Sequence, residues 1–220
     1  MGQVGNGLND TIAEPVEIEF DLGVTAVSGG AAHTCAVTTD GSVWCWGLND
    51  DAMLGDSTGI DHYLPNRVTG VTDTVSVSAS AWHTCVVTKE SDVWCWGTNW
   101  DGELGIGDDS EPQIPVKVTV LDDVLDISSG DAHTCAITID DKLWCWGSND
   151  LGQLGVEDKV TTFFTPVQVT EVVNPVWISA GENHTAAVDG DGRAWCWGAN
   201  NQGQLGQGDL QSSSKPLQVK

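Results

Sequence analysis

The sequence has 220 residues, 40% of them hydrophobic, which suffices for one domain with a real core and excludes a disordered chain. With 32 acidic and 8 basic residues, the formal net charge is −24, which excludes a basic nucleic-acid interface and disfavours an anionic membrane surface. No apolar run is long enough to span a bilayer and no signal peptide is visible, so we expect no membrane insertion.

A repeat of about 50 residues organises the chain. Trp-Cys-Trp-Gly occurs four times, at spacings of 50, 50 and 51, beginning at Trp44, Trp94, Trp144 and Trp195. A His-Thr pair precedes each copy, with its histidine at His33, His83, His133 and His184. We therefore predict one repeat domain over 1–220. Its parts are a surplus tail strand at 1–20 and repeats at 21–70, 71–120, 121–171 and 172–220.

The first repeat illustrates the predicted elements in chain order. Thr25 and Val27 alternate with polar or small residues and predict a first strand. Two β-rich runs, 33–38 and 42–47, flank an Asp-Gly pair and predict a hairpin. A last strand is expected at 66–69, and no helical periodicity is present. Four short antiparallel strands in a unit of this size are typical of a β-propeller blade.

The sequence resembles the regulator-of-chromosome-condensation repeat. The resemblance rests on Ser-Gly-Gly-Ala-Ala-His-Thr-Cys-Ala-Val at 28–37, Asp-Gly-Ser-Val-Trp-Cys-Trp-Gly at 40–47, and the Gly/Gln-rich segment 200–208. It implies an all-β propeller, usually of seven blades, and we expect the bacterial or archaeal extracellular type. Since only four repeats are present, the propeller is expected to be partial, small and closed, or assembled from several chains.

Six of the seven cysteines form pairs spaced symmetrically about a hairpin turn. Residues placed in this way lie opposite each other on adjacent strands, near disulfide range. We predict the disulfides Cys35–Cys45, Cys85–Cys95 and Cys135–Cys145, with Cys196 as a free thiol because Ala186 occupies its partner position. Buried free thiols are the alternative. Disulfides indicate an oxidising compartment, hence a secreted or cell-surface protein.

The repeated histidines and tryptophans are interpreted as structural. One histidine per repeat would be separated from the next by a whole blade, so each is expected to hydrogen-bond to nearby backbone. The tryptophans of the Trp-Cys-Trp-Gly motif are expected to pack between blades. The sequence lacks hydrolase, zinc-protease and nucleotide-binding motifs. We therefore predict no catalytic residues, no cofactor, no metal site and no enzymatic activity.

Side chains that interrupt the repeat are the candidate partner-binding residues, because a binding surface uses exposed aromatic residues on loops. They are Tyr63, Phe164, Trp82, Trp100, His62 and Phe163. Local packing of the connecting loops is the alternative interpretation of these positions.

The favoured function is a non-catalytic extracellular interaction module that binds a protein or glycan through these loop aromatics. The resemblance covers proteins with several activities, including nucleotide exchange, β-lactamase inhibition and light sensing, so the fold does not choose among them. The alternative is a structural protein that self-assembles into a ring or fibre through its terminal blades. The acidic surface either attracts a cationic partner or is an adaptation to salt, and the second interpretation is favoured.

Overall fold

The computed structural model describes residues 1–157 and 159–219. Within these ranges sixteen strands follow one another: β1 (Val24–Gly29), β2 (His33–Thr38), β3 (Val43–Gly47), β4 (His62–Arg67), β5 (Thr74–Ala79), β6 (His83–Thr88), β7 (Val93–Gly97), β8 (Val116–Lys117), β9 (Val124–Ser129), β10 (His133–Thr138), β11 (Leu143–Ser148), β12 (Thr162–Val169), β13 (Pro175–Ala180), β14 (His184–Asp189), β15 (Ala194–Gly198) and β16 (Ser213–Gln218).

The strands form four antiparallel sheets, each built from four consecutive strands, which confirms the predicted all-β fold of four-stranded blades. Blade 1 contains β1–β4, blade 2 contains β5–β8, blade 3 contains β9–β12 and blade 4 contains β13–β16. The described part of the chain contains no helix, and therefore none that is long and apolar enough to cross a membrane.

The central hairpin of each blade has the register that the sequence predicts. In blade 1, Cys35 lies directly opposite Cys45, and Ala36 lies opposite Trp44. Because successive side chains of a strand point to opposite faces, the motif tryptophans share one face of β3 and the cysteine lies on the other. The second and third strands of blades 1 to 3 are almost wholly buried, so these central strands carry both faces of the blade core.

The outer strand begins earlier than predicted. In blade 1 it runs over His62–Arg67 rather than 66–69, with Pro65 inside it. Proline lacks an N–H to donate, but an outermost strand pairs on one side only and tolerates it. The predicted start at 66 was wrong because the residues before the proline also pair with β3, as Gly47 does with His62.

Residues 1–20 contain no strand, although the sequence predicted one there. Instead they lie against blade 1: the carbonyl oxygen of Gln3 accepts a hydrogen bond from Trp46, and the ring of Phe20 contacts Trp44. The proline-containing segment near the N-terminus therefore covers the tryptophan face of blade 1 without pairing into a sheet.

The chain divides into two compact units. The first comprises 1–98 and 111–117, and the second comprises 99–110 and 118–220. In the first unit Cys35, Cys45, Val77 and Trp96 belong to one apolar core shared by blades 1 and 2. In the second unit Cys135, Leu154, Ile178 and Trp197 belong to the core shared by blades 3 and 4. Consecutive blades within each unit thus bury their apolar faces against each other.

Candidate functional sites

One backbone carbonyl joins each repeat to the next. We call it the inter-repeat carbonyl; it belongs to Gln3, Met53, Glu103 and Gln153. At each of the four, the second tryptophan of the following Trp-Cys-Trp-Gly motif and the threonine of the following His-Thr pair both donate to it. All eight donor–acceptor distances are 2.8 or 2.9 Å. The repeated tryptophans and threonines are therefore occupied in holding consecutive repeats together.

A buried asparagine shapes the loop that presents this carbonyl. In blade 1, the side-chain oxygen of Asn49 accepts the backbone N–H of Leu54 at 3.0 Å, and Leu54 itself is buried. Asn99, Asn149 and Asn200 accept the equivalent leucine N–H groups at 3.0, 3.2 and 3.0 Å. The Asn and Leu-Gly positions of the repeat are thus structural.

Two of the repeated histidines, His33 and His133, bind a threonine hydroxyl rather than backbone. The Nε2 of His33 lies 2.8 Å from the hydroxyl oxygen of Thr84, and that of His133 lies 2.9 Å from Thr185. Burial lowers the pKa of His33 to about 4 and that of His133 to about 3, so both imidazoles are neutral near pH 7. Buried, neutral and hydrogen-bonded, these two histidines serve the core.

The three predicted cysteine pairs have their sulfur atoms at disulfide-bonding distance. The S–S distances are 2.09 Å in Cys35–Cys45, 2.14 Å in Cys85–Cys95 and 2.06 Å in Cys135–Cys145. Cys196 is unpaired and lies opposite Ala186 in the β14–β15 hairpin. Burial raises the pKa of its thiol, which keeps it protonated at neutral pH.

Three of the predicted partner-binding aromatics are exposed. Trp100, in the loop after β7, is 70% exposed; Trp82, just before β6, is 43% exposed; and Tyr63, in β4, is 38% exposed. The structure therefore presents these three side chains as available surface.

The other three candidates are more enclosed. Phe163 and Phe164 lie in strand β12 rather than in a loop, and both are half-buried. The carbonyl of Phe164 accepts the N–H of Gly107, so this strand also receives the loop of the preceding repeat. His62 is next to Tyr63, and its Nε2 lies 2.7 Å from Oδ2 of Asp56, a largely buried carboxylate. Bonds from Asn49 and Thr58 also hold Asp56, and its pKa is lowered by hydrogen bonding.

Phe20 is an aromatic residue that the sequence analysis did not single out. Its ring centroid lies 6.0 Å from that of Trp44, with the planes at 79°, and 6.1 Å from that of Trp46. A cavity of about 300 Å³ opens beside Phe20 and Trp44. The signal was present in the sequence, because the positions equivalent to Phe20 in the later repeats hold Gly70, Val120 and Glu171.

No cluster of three or more His, Cys, Asp or Glu side chains suited to a metal ion occurs in 1–157 or 159–219. The strongly paired carboxylates instead close turns: Asp40 accepts from Thr38 and Ser42, and these bonds lower its pKa. Asp189 plays the same part in the last hairpin.

Comparison with known proteins places this architecture in a family. The RCC1-like domain family matches residues 1–220, and the chain belongs to it. Among curated relatives, it is 37% identical over 74 residues to the ultraviolet-B receptor UVR8 of Arabidopsis thaliana, covering 33% of this chain and 17% of that protein. It is 34% identical over 70 residues to the regulator of chromosome condensation of Xenopus laevis, covering 31% of this chain and 16% of that protein.

Solved structures share the fold at low sequence identity. Human WBSCR16 superposes with a TM-score of 0.87 at 20% identity, covering all of this chain and 60% of that one. Yeast RCC1 (Prp20), solved with Kap60, superposes with a TM-score of 0.82 at 21% identity, covering 93% of this chain and 50% of that one. The chain thus spans about half the length of these structures and less than a fifth of the curated relatives named above.

Proposed function

We propose that the protein is a non-catalytic, extracellular interaction module that binds a protein or a glycan through its exposed loop aromatics. The observation that carries this proposal is the 70% exposure of Trp100, whereas the motif tryptophans Trp96 and Trp146 are completely buried. Tryptophan is enriched among the residues that carry binding energy at protein interfaces, and we infer that a partner covers this side chain. Tyr63 and Trp82 supply further aromatic surface on blades 1 and 2.

Relatives of this fold give the proposal independent support. Yeast RCC1 (Prp20) has been solved bound to Kap60, and the structure of Prp20p has been described together with its binding to Gsp1p and histones. Those partners belong to those proteins, and what we infer for this chain is the mode of action, a rigid propeller surface that presents side chains to a partner. The 32 acidic residues against 8 basic ones disfavour nucleic acid as a direct partner.

Binding of the full chain to arrayed glycans and arrayed purified secreted proteins tests this function. We expect a hit whose affinity falls roughly tenfold or more in Trp100→Ala or Tyr63→Ala, because truncating a central aromatic contact removes much of the binding energy. Val173→Ala is the matched control, since Val173 is also exposed and apolar but does not interrupt the repeat as an aromatic. A partner that binds every aromatic variant with the affinity of the wild type would refute the assignment of these aromatic residues as the binding surface.

The extracellular location is proposed from the cysteines. Three pairs at disulfide distance are compatible with an oxidising compartment, where such bonds persist. Protein isolated under alkylating, non-reducing conditions should expose one titratable thiol after denaturation, that of Cys196, and seven after reduction. Seven thiols before reduction would contradict both the disulfides and the location.

Self-assembly through terminal blades is a second candidate, and an open face on blade 4 favours it. His184 and Cys196 are partly exposed there, whereas His33 and Cys45 are fully buried at the equivalent positions of blade 1. A groove of about 290 Å³ lined by Glu182, His184 and Gln204 marks this face. Self-assembly ranks second because blade 1 has no free donors for a blade 4 of another chain. Its two inter-repeat donors, Thr34 and Trp46, already bind the carbonyl of Gln3.

Sedimentation velocity over a range of concentration and salt separates the two candidates. Assembly predicts species that grow with concentration and that weaken in His184→Glu, which adds a charge to the open face. A single monomeric species throughout the micromolar range would remove self-assembly and leave the binding module.

A further inference from the structure

Four connecting segments form one end of the second unit, which we call the loop end: 99–103, 130–132, 149–153 and 181–183. Consecutive strands of a blade are antiparallel, so the turn after a first strand and the loop after a third strand lie at the same end. Backbone hydrogen bonds join these segments. The N–H of Ser148 donates to the carbonyl of Ala132, and that of Asp131 donates to Glu182.

Both long loops of the loop end pack on the blade that follows them. The carbonyl of Glu103 accepts hydrogen bonds from blade 3, and that of Gln153 accepts hydrogen bonds from blade 4. Each loop thus already has the blade on which it packs. The side chains that these loops leave in water therefore belong to an outer surface.

Two large apolar side chains are exposed at the loop end. Trp100 is 70% exposed and Leu151 is 46% exposed. The other two repeats are polar at both of these positions, with Asp50-Asp51 in the first repeat and Asn201-Gln202 in the fourth. The apolar residues thus occur in the two adjacent loops of the second unit, where they supply contact area for a partner.

Two carboxylates adjoin these apolar side chains. Asp101 follows Trp100 in the chain, and Asp150 precedes Leu151. Burial raises the pKa of the Asp101 carboxyl, and the charge of Asp150 raises it further. Carboxylates coupled in this way lie close enough to repel each other. A cation bound near both would relieve this repulsion, whereas an anion would add to it.

The protein supplies no cation of its own at the loop end. Asp131 and Glu182 form a second coupled pair, in which burial and then the charge of Glu182 raise the pKa of Asp131. In the described part of the chain, none of these four carboxylates takes part in an ion pair. The opposite end of blade 3 differs, because Lys142 lies 2.6 Å from Asp140 in the hairpin turn. The charge at the loop end is therefore available to a cationic partner.

We propose that the loop end binds an arginine-bearing segment of a partner protein. This inference rests on the function proposed above and names the chemistry of the partner. A guanidinium stacks on the face of a tryptophan and donates to a carboxylate in a planar fork, so one arginine can use Trp100 and Asp101 together. A lysine ammonium is a strongly hydrated point charge and gains less from the indole face. Leu151 adds apolar area for the remainder of the segment.

Fluorescence anisotropy of a labelled peptide, Ser-Gly-Arg-Gly-Arg-Gly-Ser, titrated with the full chain at physiological ionic strength tests the proposal. We expect saturable binding of this peptide. The matched peptide with lysine should bind more weakly, by roughly threefold or more, because it loses the planar stacking and the bidentate geometry. The matched peptide with citrulline keeps the shape of arginine without its charge and should not bind.

Variants of the protein locate the site. Trp100→Leu keeps apolar volume but removes the indole face, and it should weaken the arginine peptide by roughly three- to tenfold. Asp101→Asn with Asp150→Asn should also weaken it. The matched control is Asp122→Asn with Asp123→Asn, which removes the same charge from two exposed residues at the opposite end of blade 3 and should leave the affinity unchanged. Circular dichroism and thermal unfolding verify that each variant is folded.

A further variant adds charge rather than removing it. Leu151→Lys places a cation of the protein at the loop end and should abolish saturable binding of the arginine peptide. Three results would overturn the proposal: no saturable binding to the folded wild type, equal binding of the lysine peptide, or equal losses in the two pairs of aspartate variants. The last result would show attraction by net charge alone.

The two proposals can fail separately. A partner from the arrays that requires Trp100 but tolerates Asp101→Asn with Asp150→Asn would keep the proposed function and overturn the arginine segment as its ligand. A partner that tolerates every aromatic variant would overturn both.

Discussion

The Nε2 atom of His33 lies 2.8 Å from the hydroxyl oxygen of Thr84, in the following repeat. The Thr84 hydroxyl donates its single proton to the carbonyl of Met53, at 2.9 Å. It must therefore accept from His33, which makes the neutral imidazole the Nε2–H tautomer. The same reasoning applies to His133 and Thr185. Two directed chains of hydrogen bonds, imidazole to hydroxyl to carbonyl, thus connect successive repeats. One runs from His33 through Thr84 to Met53, and the other runs from His133 through Thr185 to Gln153.

Replacing Thr84 by valine should be costly although the two side chains have the same shape. The change leaves the Nε2–H of His33 buried without an acceptor and removes one of the two donors to Met53. We expect the free energy of unfolding to fall by about 1–3 kcal/mol, with the denaturant slope unchanged. Urea unfolding measures the loss. Thr69→Val, at an exposed threonine, is the control and should shift stability by about 0.5 kcal/mol or less. Equal losses in both variants would show that the hydrogen bonds of Thr84 do not stabilise the fold.

Two glycines of the same loop should respond differently to alanine. Gly55 and Gly59 both have positive φ, 66° and 61°, so each substitution carries a similar backbone strain. A Cβ at Gly55 would stand 2.7 Å from the indole nitrogen of Trp96, whereas one at Gly59 meets nothing within 4 Å. Gly59→Ala should cost about 1 kcal/mol, and Gly55→Ala should cost clearly more. Thermal unfolding of the two variants decides, and indistinguishable midpoints would contradict the close packing of this turn on Trp96.

Stability should fall on mild acidification because of the buried histidines. Burial lowers the pKa of His33 from 6.5 to about 4 and that of His133 to about 3. Below pH 6.5 the unfolded chain binds protons at these residues while the folded protein does not, so protonation favours unfolding. Each contributes a loss of about 2 kcal/mol between pH 7 and pH 5.

Urea unfolding near pH 7 and near pH 5 measures this dependence. His133→Gln should reduce the difference between the two pH values. A wild-type stability that stays level over this interval would contradict the assignment of both histidines as neutral in the folded protein.

A fourth disulfide can be introduced at one position. Ala186 lies opposite Cys196 in the β14–β15 hairpin, as Cys35 lies opposite Cys45 in blade 1, where the Cα atoms are 4.1 Å apart. Ala186→Cys should therefore consume the free thiol and stabilise the fold by about 2–3 kcal/mol. Thiol titration under non-reducing, denaturing conditions reports the bond. In the control Ala187→Cys, the new side chain lies opposite Trp195 and should leave two free thiols.

The hairpins could be predicted because their information is local. The pairing of Cys35 with Cys45 follows from equal distances to one turn, and the structure has that register. The outer strand was placed too late because its pairing with β3 depends on residues before Pro65 that carry no strong β signal. The candidate residues before Pro65 and Pro166 were expected in loops for the same reason. His62 and Tyr63 instead lie in β4, and Phe163 and Phe164 lie in β12.

The contacts that could not be predicted are those between distant positions. Phe20 and Trp44 meet only because the N-terminal segment lies across blade 1, and no short-range pattern in the sequence encodes that placement. Met53 interrupts the repeat as a residue type, yet its side chain is buried and its carbonyl occupies a repeated position. A deviation in residue identity therefore does not by itself mark a functional position.

The inter-repeat carbonyl also means that the hydrogen-bonded structural unit does not have the same boundaries as the sequence repeat. A cut at the boundary between 70 and 71 separates Met53 from both of its donors, Thr84 and Trp96. A cut just after Gly47 keeps the acceptor and both donors on one fragment. Duplication of a segment that starts after Gly47 would copy the acceptor carbonyl together with both of its donors. Arrays lengthened by such segments should therefore tolerate insertion better than arrays lengthened by segments cut between 70 and 71.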